Sequence, residues 1–168
     1  MIFTSWTITK KGCLATSSSI TTEIVNFLLR TDSSATNVRN KAVEHVIDGI
    51  GLILAGSRTE CARKLVDFVL EKRSGTSTLL GFGQKVHASD AALVNGTSGH
   101  ADDYDDTQIS TSPDRIYGLL THPTTPTLAA ALATAEMVSC TGKEFLEAFI
   151  AGFEVECKIA EAIKPEHY

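Results

Sequence analysis

Residues 36–54 have the sequence TNVRNKAVEHVIDGIGLIL, which decides the fold class of this chain. Apolar side chains recur there at steps of three and four residues, at Val38, Ala42, Val43, Val46, Ile47, Ile50 and Leu54. That spacing places them on one broad face of an α-helix. Thr36 is a candidate N-cap and Gly56 a candidate C-cap. Gly49 and Gly51 each cost a helix about 1 kcal/mol relative to Ala, so we expect close packing against another helix there.

The same apolar spacing recurs along the chain and predicts an all-α domain. The predicted helices lie near residues 22–30, 36–54, 60–73, 89–100, 127–139 and 143–163. Ser89 is a candidate N-cap, Pro126 suits a first helical turn, and Thr141 with Glu144 forms a capping box. Residues 77–82 are the one plausible extended segment. Residues 1–19 are predicted to be a disordered tail.

The composition and charge exclude several classes of function. The chain has 168 residues, 15 Lys and Arg against 20 Asp and Glu, and a net charge of -5 without a long basic run, so a nucleic-acid partner is not expected. Its apolar runs are too short to cross a membrane, and the N-terminus lacks the apolar core of a secretion signal. We therefore predict a cytoplasmic protein, or a mitochondrial one in a eukaryote. The four cysteines form no Cys-x-x-Cys pair, so no zinc or redox motif is indicated.

The sequence ADDYDDT at residues 101–107 concentrates negative charge. Asp102, Asp103, Asp105 and Asp106 repel one another unless a cation or a proton lies among them. Metal binding, cation binding or proton transfer would explain the crowding, and a solvated acidic loop is an equally good explanation. Asp102, Asp103 and Asp106 also fit the Asp-Asp-x-x-Asp pattern by which all-α prenyl-diphosphate enzymes hold Mg²⁺. A third possibility is a helical interaction domain with an incidental acidic loop.

Three histidines lie in or near predicted site segments. His122, between Thr121 and Pro123, is either a general acid or base or a surface residue. His100 is interpreted as a local electrostatic partner of the aspartates, and His45 as structural. The glycines at 96 and 99 indicate either close approach to a ligand or a helix end.

Six segments in order resemble one protein family. They are VIDGIG at 46–51, GFG at 81–83, AALVNG at 91–96, GHADDYDDT at 99–107, THP at 121–123 and AGFEVE at 151–156. Together they resemble the MmgE/PrpD family, whose members include 2-methylcitrate dehydratase, cis-aconitate decarboxylase and an iminodisuccinate epimerase. The likeness extends over residues 20–168.

The resemblance implies a fold and an assembly. Family members have a large all-α domain that carries the active site and a smaller α+β lid domain. Residues 20–168 would be the N-terminal part of the helical domain, with the rest of that domain and the lid absent. The chain ends just after its last predicted helix, and we expect it to be truncated. The family resemblance also implies a homodimer of the full-length protein.

The resemblance further implies a reaction. It is a cofactor-independent and metal-free lyase or isomerase reaction on a small polycarboxylate: dehydration as in 2-methylcitrate dehydratase, or a related decarboxylation or epimerisation. By motif the catalytic residues are Asp103, Thr107 and His122, with Thr121 joining Asp103 and His122 in substrate binding. The interval from Thr107 to His122 is longer than in the decarboxylase, which favours other branches of the family.

The resemblance also suggests how the roles divide. His122 would be the acid or base, Asp103 would orient it or bind substrate, and Thr107 would donate a hydrogen bond. Asp105 and Asp106 would cap or brace the loop. Family members carry a lysine and a second histidine further along, and cations for the substrate must lie outside this chain. We therefore expect the 168-residue chain alone to be inactive.

Overall fold

A computed structural model describes residues 19–30, 33, 35–71, 74–108 and 121–162. Within these ranges the regular secondary structure is helical apart from one small hairpin, which confirms the all-α prediction. The elements are α1 (Ile20–Arg30), α2 (Thr36–Gly56), α3 (Glu60–Leu70), β1 (Ser74–Thr78), β2 (Lys85–Val86), α4 (Ala88–His100), α5 (Thr124–Val138) and α6 (Gly142–Ala162). Each predicted helix is present with ends within three residues of the prediction. The predicted tail lies outside the described residues except for Ser19.

Two predicted N-caps are wrong, and the capping box is confirmed. Ala35, without a side-chain cap, precedes α2, so Thr36 is already helical. His87 rather than Ser89 is the N-cap of α4. Its carbonyl already accepts hydrogen bonds from the N–H groups of residues 90 and 91. In the capping box, the Glu144 carboxylate accepts from the Thr141 N–H at 2.7 Å, and the Thr141 hydroxyl accepts from the Glu144 N–H at 3.3 Å.

The extended segment lies earlier than predicted. The predicted strand covered residues 77–82, whereas β1 ends at Thr78 and pairs antiparallel with β2. Residues 79–84 form the connecting turn, in which the Leu79 N–H donates to the Gln84 carbonyl at 2.9 Å. Leu79 is fully buried, so its side chain anchors the turn to the helices instead of extending the strand.

The core of the described residues consists of two hydrophobic clusters, and α5 contributes to both. One cluster unites α3, the hairpin, α4 and α5 through Val66, Val69, Leu79, Val86, Ala91, Val94 and Ala133. The other unites α2, α5 and α6 through Ala42, Ile53, Leu128 and Phe149. Because α4 packs against both α2 and α5, its C-terminal end is held next to the start of α5. None of the helices in the described ranges is long and apolar enough to cross a bilayer.

Small residues let α2 approach its neighbours closely. A Cβ on Gly49 would lie 2.5 Å from Leu128 Cδ2 on α5, which confirms the predicted close packing at that glycine. The same prediction is wrong for Gly51, because a Cβ there would have nothing within 4 Å. The predicted C-cap Gly56 is instead the last residue of α2, and Ser57 occupies the C-cap position.

Asn95, Gly96 and Gly99 belong to α4 and face the protein's own core. The Asn95 amide ties α4 to the hairpin, since its oxygen accepts from the Leu80 N–H at 3.0 Å and its nitrogen donates to the Thr78 carbonyl at 2.9 Å. A Cβ on Gly99 would lie 2.7 Å from Thr125 Cγ2. The close approach at Gly99 is therefore to α5 and not to a ligand.

Candidate active site

The junction between α4 and α5 brings together two distant parts of the sequence. Helix α4 ends at His100, and His122 lies two residues before the start of α5. Residues 108 and 121 are joined by a hydrogen bond in which the Gln108 N–H donates to the Thr121 carbonyl at 2.9 Å. Asp103 takes a left-handed backbone conformation, φ 56°, which Asp tolerates better than most residues and which turns the chain after α4.

Four side chains from this junction form what we call the His–Asp cluster: His100, Asp103, Asp105 and His122. Their ligand atoms all lie within 4.8 Å of one another. Asp105 lies between the two imidazoles, with its Oδ1 atom 2.8 Å from His100 Nδ1 and 3.4 Å from His122 Nδ1. Its side chain is only 1% exposed, whereas that of Asp103 is 77% exposed. The buried centre of the cluster is therefore Asp105.

Asp105 is an anion in the folded protein. Burial acts to raise its pKa, but the hydrogen bond with His100 and the nearby Thr125 hydroxyl outweigh burial and hold the pKa of Asp105 below its ordinary value. An ionised carboxylate has only acceptor atoms, so His100 Nδ1, which is hydrogen-bonded to it, is the donor.

His122 has the exposure and contacts that a proton-transfer group needs. Its Nδ1 atom is buried and faces Asp105, and its Nε2 atom lies 3.8 Å from Asp103 Oδ1. The ring packs edge-on against His100 with 4.6 Å between centroids. The side chain keeps 23% of its surface exposed. An imidazole can act as a general acid or base because either ring nitrogen can carry the proton.

The same four side chains could hold a metal ion, since imidazole and carboxylate ligands suit Zn²⁺ and similar cations. The hydrogen-bond geometry does not fit this well. His100 Nδ1 is hydrogen-bonded to a carboxylate oxygen of Asp105, and His122 Nδ1 lies 3.4 Å from the same oxygen. A metal would have to displace the 2.8 Å contact between His100 and Asp105. The arrangement matches a hydrogen-bonded proton-transfer group better than a preformed metal site.

Asp106 belongs to a separate network. Its carboxylate caps α5, accepting from the Thr124 N–H at 3.1 Å and from the Thr124 hydroxyl at 2.9 Å. His45 on α2 approaches both residues, with Nδ1 3.0 Å from the hydroxyl and 3.4 Å from the carboxylate, and its ring packs against Phe153. The capping role predicted for Asp106 and the structural role predicted for His45 both agree with these contacts.

The residues predicted from sequence are only partly brought together. Asp103 and His122 are neighbours, whereas Thr107 is an exposed residue of the loop beyond them. The Thr121 hydroxyl donates to Glu156 on α6 at 3.1 Å, so its proton is not directed at the His–Asp cluster. The catalytic and binding roles of these residues therefore stay predictions.

Sequence reasoning missed the central position of Asp105 and the contact between His100 and His122. The resemblance suggests a capping or bracing role for Asp105, and spacing alone does not distinguish the four aspartates of residues 102–106. The interpretation of His100 as a local electrostatic partner was correct in kind, but its partner is Asp105 rather than Asp102 or Asp103. In the sequence, the only indication of a contact between His100 and Asp105 is that they lie five residues apart across the end of a predicted helix.

Glu156 and Cys157 lie on α6 beside the junction. Burial raises the pKa of Glu156, and hydrogen bonds from the Thr127 and Thr121 hydroxyls only partly oppose it. Burial and neighbouring carboxylates raise the pKa of Cys157 to about 12. Its thiol therefore stays protonated at neutral pH and is not a nucleophile.

Glu156→Gln should make the protein more stable at neutral pH. Because the folded pKa of Glu156 lies above its ordinary value of 4.5, the stability contributed by its protonated form is present below that value and is lost as the pH rises through the folded pKa. The gain should be under about 1 kcal/mol, because solvent screens a partly exposed carboxylate. Urea denaturation from pH 4 to 8 measures it. Glu71→Gln, at an exposed site, is the control, and an equal gain in both variants would refute the assignment.

Comparison with known proteins gives the family. The family model described as the MmgE/PrpD N-terminal domain matches residues 22–168, which include every residue of the His–Asp cluster. The chain belongs to the MmgE/PrpD family. The matched range is helical wherever the structure describes it, apart from the short hairpin and the loops, as the resemblance implied for this domain of MmgE/PrpD proteins.

Two curated relatives in the family match this MmgE/PrpD chain. They are cis-aconitate decarboxylases of Aspergillus terreus and of Aspergillus terreus strain NIH 2624 / FGSC A1156, each 29% identical over 154 residues. The match covers 87% of this chain but 30% of each relative, so the chain spans less than a third of their length. No solved structure matches the chain.

Proposed function

We propose that the MmgE/PrpD protein carrying this chain is a lyase or isomerase that acts on a small polycarboxylate without a metal or organic cofactor. The observation that carries this proposal is the partly exposed His122 imidazole held between Asp105 and Asp103. Membership of the family supports it, because this histidine lies within the matched range.

The geometry supports proton transfer at a carbon next to a carboxylate group. In such a reaction a base removes the α-proton, the C–H electron pair moves into the substrate as enolate-like charge, and an acid protonates the group that leaves. His122 Nε2 is the candidate atom for moving that proton. Asp103 lies beside this nitrogen, and Thr107 on the nearby loop would donate a hydrogen bond to substrate.

The substrate's carboxylates need cationic partners that the His–Asp cluster does not provide. Two of its four members are aspartates, and Asp102 and Asp106 add further negative charge nearby. Basic groups from beyond the chain would neutralise the substrate, so the 168-residue chain alone should be inactive. The homodimer, and a location in the cytoplasm or in a mitochondrion, belong to this proposal on the strength of the family.

The geometry disfavours the magnesium-dependent prenyl-diphosphate alternative. That alternative requires the carboxylates of Asp102, Asp103 and Asp106 to project from one helical turn. Helix α4 ends at His100, however, and all three residues follow its end. Asp106 is already bound to the start of α5 through Thr124. Asp103 faces His122 rather than Asp102 or Asp106.

The test is turnover by the full-length protein. Cis-aconitate, 2-methylcitrate and other small tricarboxylates are incubated with it separately after EDTA treatment, and products are identified by NMR. We expect one of them to be dehydrated, decarboxylated or epimerised with metal removed. Turnover of none, combined with tight Mg²⁺ binding that Asp103→Asn abolishes in calorimetry, would instead support the prenyl-diphosphate alternative. Turnover of none, with partner binding lost on changing a helical face, would support an interaction domain.

A further inference from the structure

We propose that Asp105 is the positioning residue of this site: its Oδ1 atom accepts a hydrogen bond from His100 Nδ1 and lies 3.4 Å from His122 Nδ1, which leaves Nε2 of His122 as the atom that transfers the proton. The significance of this arrangement for catalysis rests on the proposed function, but the arrangement itself can be tested without any substrate.

The first support is the identity of the atoms that face one another. Asp105 Oδ1 lies 2.8 Å from His100 Nδ1 and 3.4 Å from His122 Nδ1. In a neutral imidazole one nitrogen carries the proton and the other has a lone pair. A nitrogen that faces an ionised carboxylate must be the donor, because the carboxylate has no proton to give. The contacts therefore select the Nδ1–H tautomer of His122 and direct its basic lone pair to Nε2.

The second support is the difference between the two aspartates. Asp105 is almost fully buried, and hydrogen bonding to His100 fixes its carboxylate, so it can hold an imidazole in one orientation. Asp103 is largely exposed to solvent, and its oxygen lies 3.8 Å from Nε2, the opposite nitrogen. Solvent weakens an exposed charge pair of this length. Asp103 is therefore placed at the reactive edge of the ring, and Asp105 at the edge that anchors it.

The third support is the packing of the two imidazoles. His100 ends α4 and contacts His122 edge-on, so the pair is held at the junction of α4 and α5 by Asp105 and by ring contact. His122 Nδ1 is buried and has no hydrogen-bond partner among the described residues, and the nearby carboxylate oxygen of Asp105 lies 3.4 Å from it. Such contacts are often long without substrate and shorten when it binds.

The experiment uses ¹⁵N-histidine labelling of the full-length protein and two-bond ¹⁵N–¹H correlation spectra at pH 8. The two ring nitrogens differ in shift according to which one carries the proton, and His122→Asn identifies the signals of His122. We expect the Nδ1–H form of His122 in the wild-type protein. In Asp105→Asn we expect loss of that preference and a fall in kcat of at least ~10²-fold with little change in KM.

Asp106→Asn is the matched control, since this neighbouring carboxylate contacts Thr124 and His45 but not the two imidazoles of the cluster. It should lower stability and leave the tautomer of His122 unchanged. The proposal is overturned if Nδ1 of His122 carries the lone pair in the wild-type protein, or if the tautomer of His122 is unchanged in Asp105→Asn. It is also overturned if EDTA shifts the ring-nitrogen signals of His122 in the way expected for release of a bound metal. If Asp105→Asn does not fold, the wild-type spectrum alone decides. Failure of the proposed function would appear separately, as an Nδ1–H tautomer in a protein that turns over no polycarboxylate.

Discussion

His122→Ala should lower kcat of the full-length protein by about 10²–10⁴-fold on its polycarboxylate substrate, because the variant removes the proton-transfer group. The side chain is partly exposed and its buried Nδ1 atom has only a 3.4 Å contact with Asp105. Its removal should therefore cost little of the folded structure. Steady-state kinetics over a range of substrate concentrations, with circular dichroism to check the fold, measures the effect.

The matched control is His87→Ala. His87 is an exposed histidine at the start of α4 whose Nδ1 atom contacts the Ser89 hydroxyl at 2.9 Å, and it does not belong to the His–Asp cluster. We expect its kcat to equal that of the wild-type protein. If His122→Ala also keeps kcat within a factor of about three, the histidine is a structural or surface residue and not the acid or base.

Gly56→Ala should destabilise the protein by about 3 kcal/mol, which corresponds to a fall in Tm of roughly 6–12 °C for a domain of this size. A Cβ on Gly56 would lie 1.8 Å from the carbonyl oxygen of Ser98 and 2.8 Å from its carbonyl carbon. Both atoms belong to the backbone of α4, so no side-chain rotation relieves the clash. Helices α2 and α4 would have to separate, and thermal denaturation measures the cost.

Gly51→Ala is the control for this change, because it makes the same substitution in the same helix. A Cβ at Gly51 would have nothing within 4 Å, so the variant should gain about 0.5–1 kcal/mol from the higher helix propensity of Ala. The two variants should therefore shift Tm in opposite directions. Equal shifts would show that the close contact between α2 and α4 is not a determinant of stability.

The helices were predictable because each depends on local spacing. The apolar period along residues 36–54, and the pairing of Thr141 with Glu144, depend on neighbours within one or two turns. The hairpin was less predictable, since its register depends on Val86 pairing with Ser74 and Ser77 on another segment. The side chains of the N-cap residues Ala35 and His87 make no capping hydrogen bond, so their residue types did not identify the helix starts.

The sequence by itself determined the all-α class, the acidic loop and the proximity of Asp103 to a helix end. It could not decide which of the four aspartates in residues 102–106 would be buried. These residues have the same side chain, and the direction that each side chain takes is set only when the chain folds. The tertiary structure decided this: α4 packs between α2 and α5, which brings His100 to within 4.6 Å of His122 across 22 residues of chain and encloses Asp105 between them. Contacts over such a separation depend on helix packing, which local patterns do not encode.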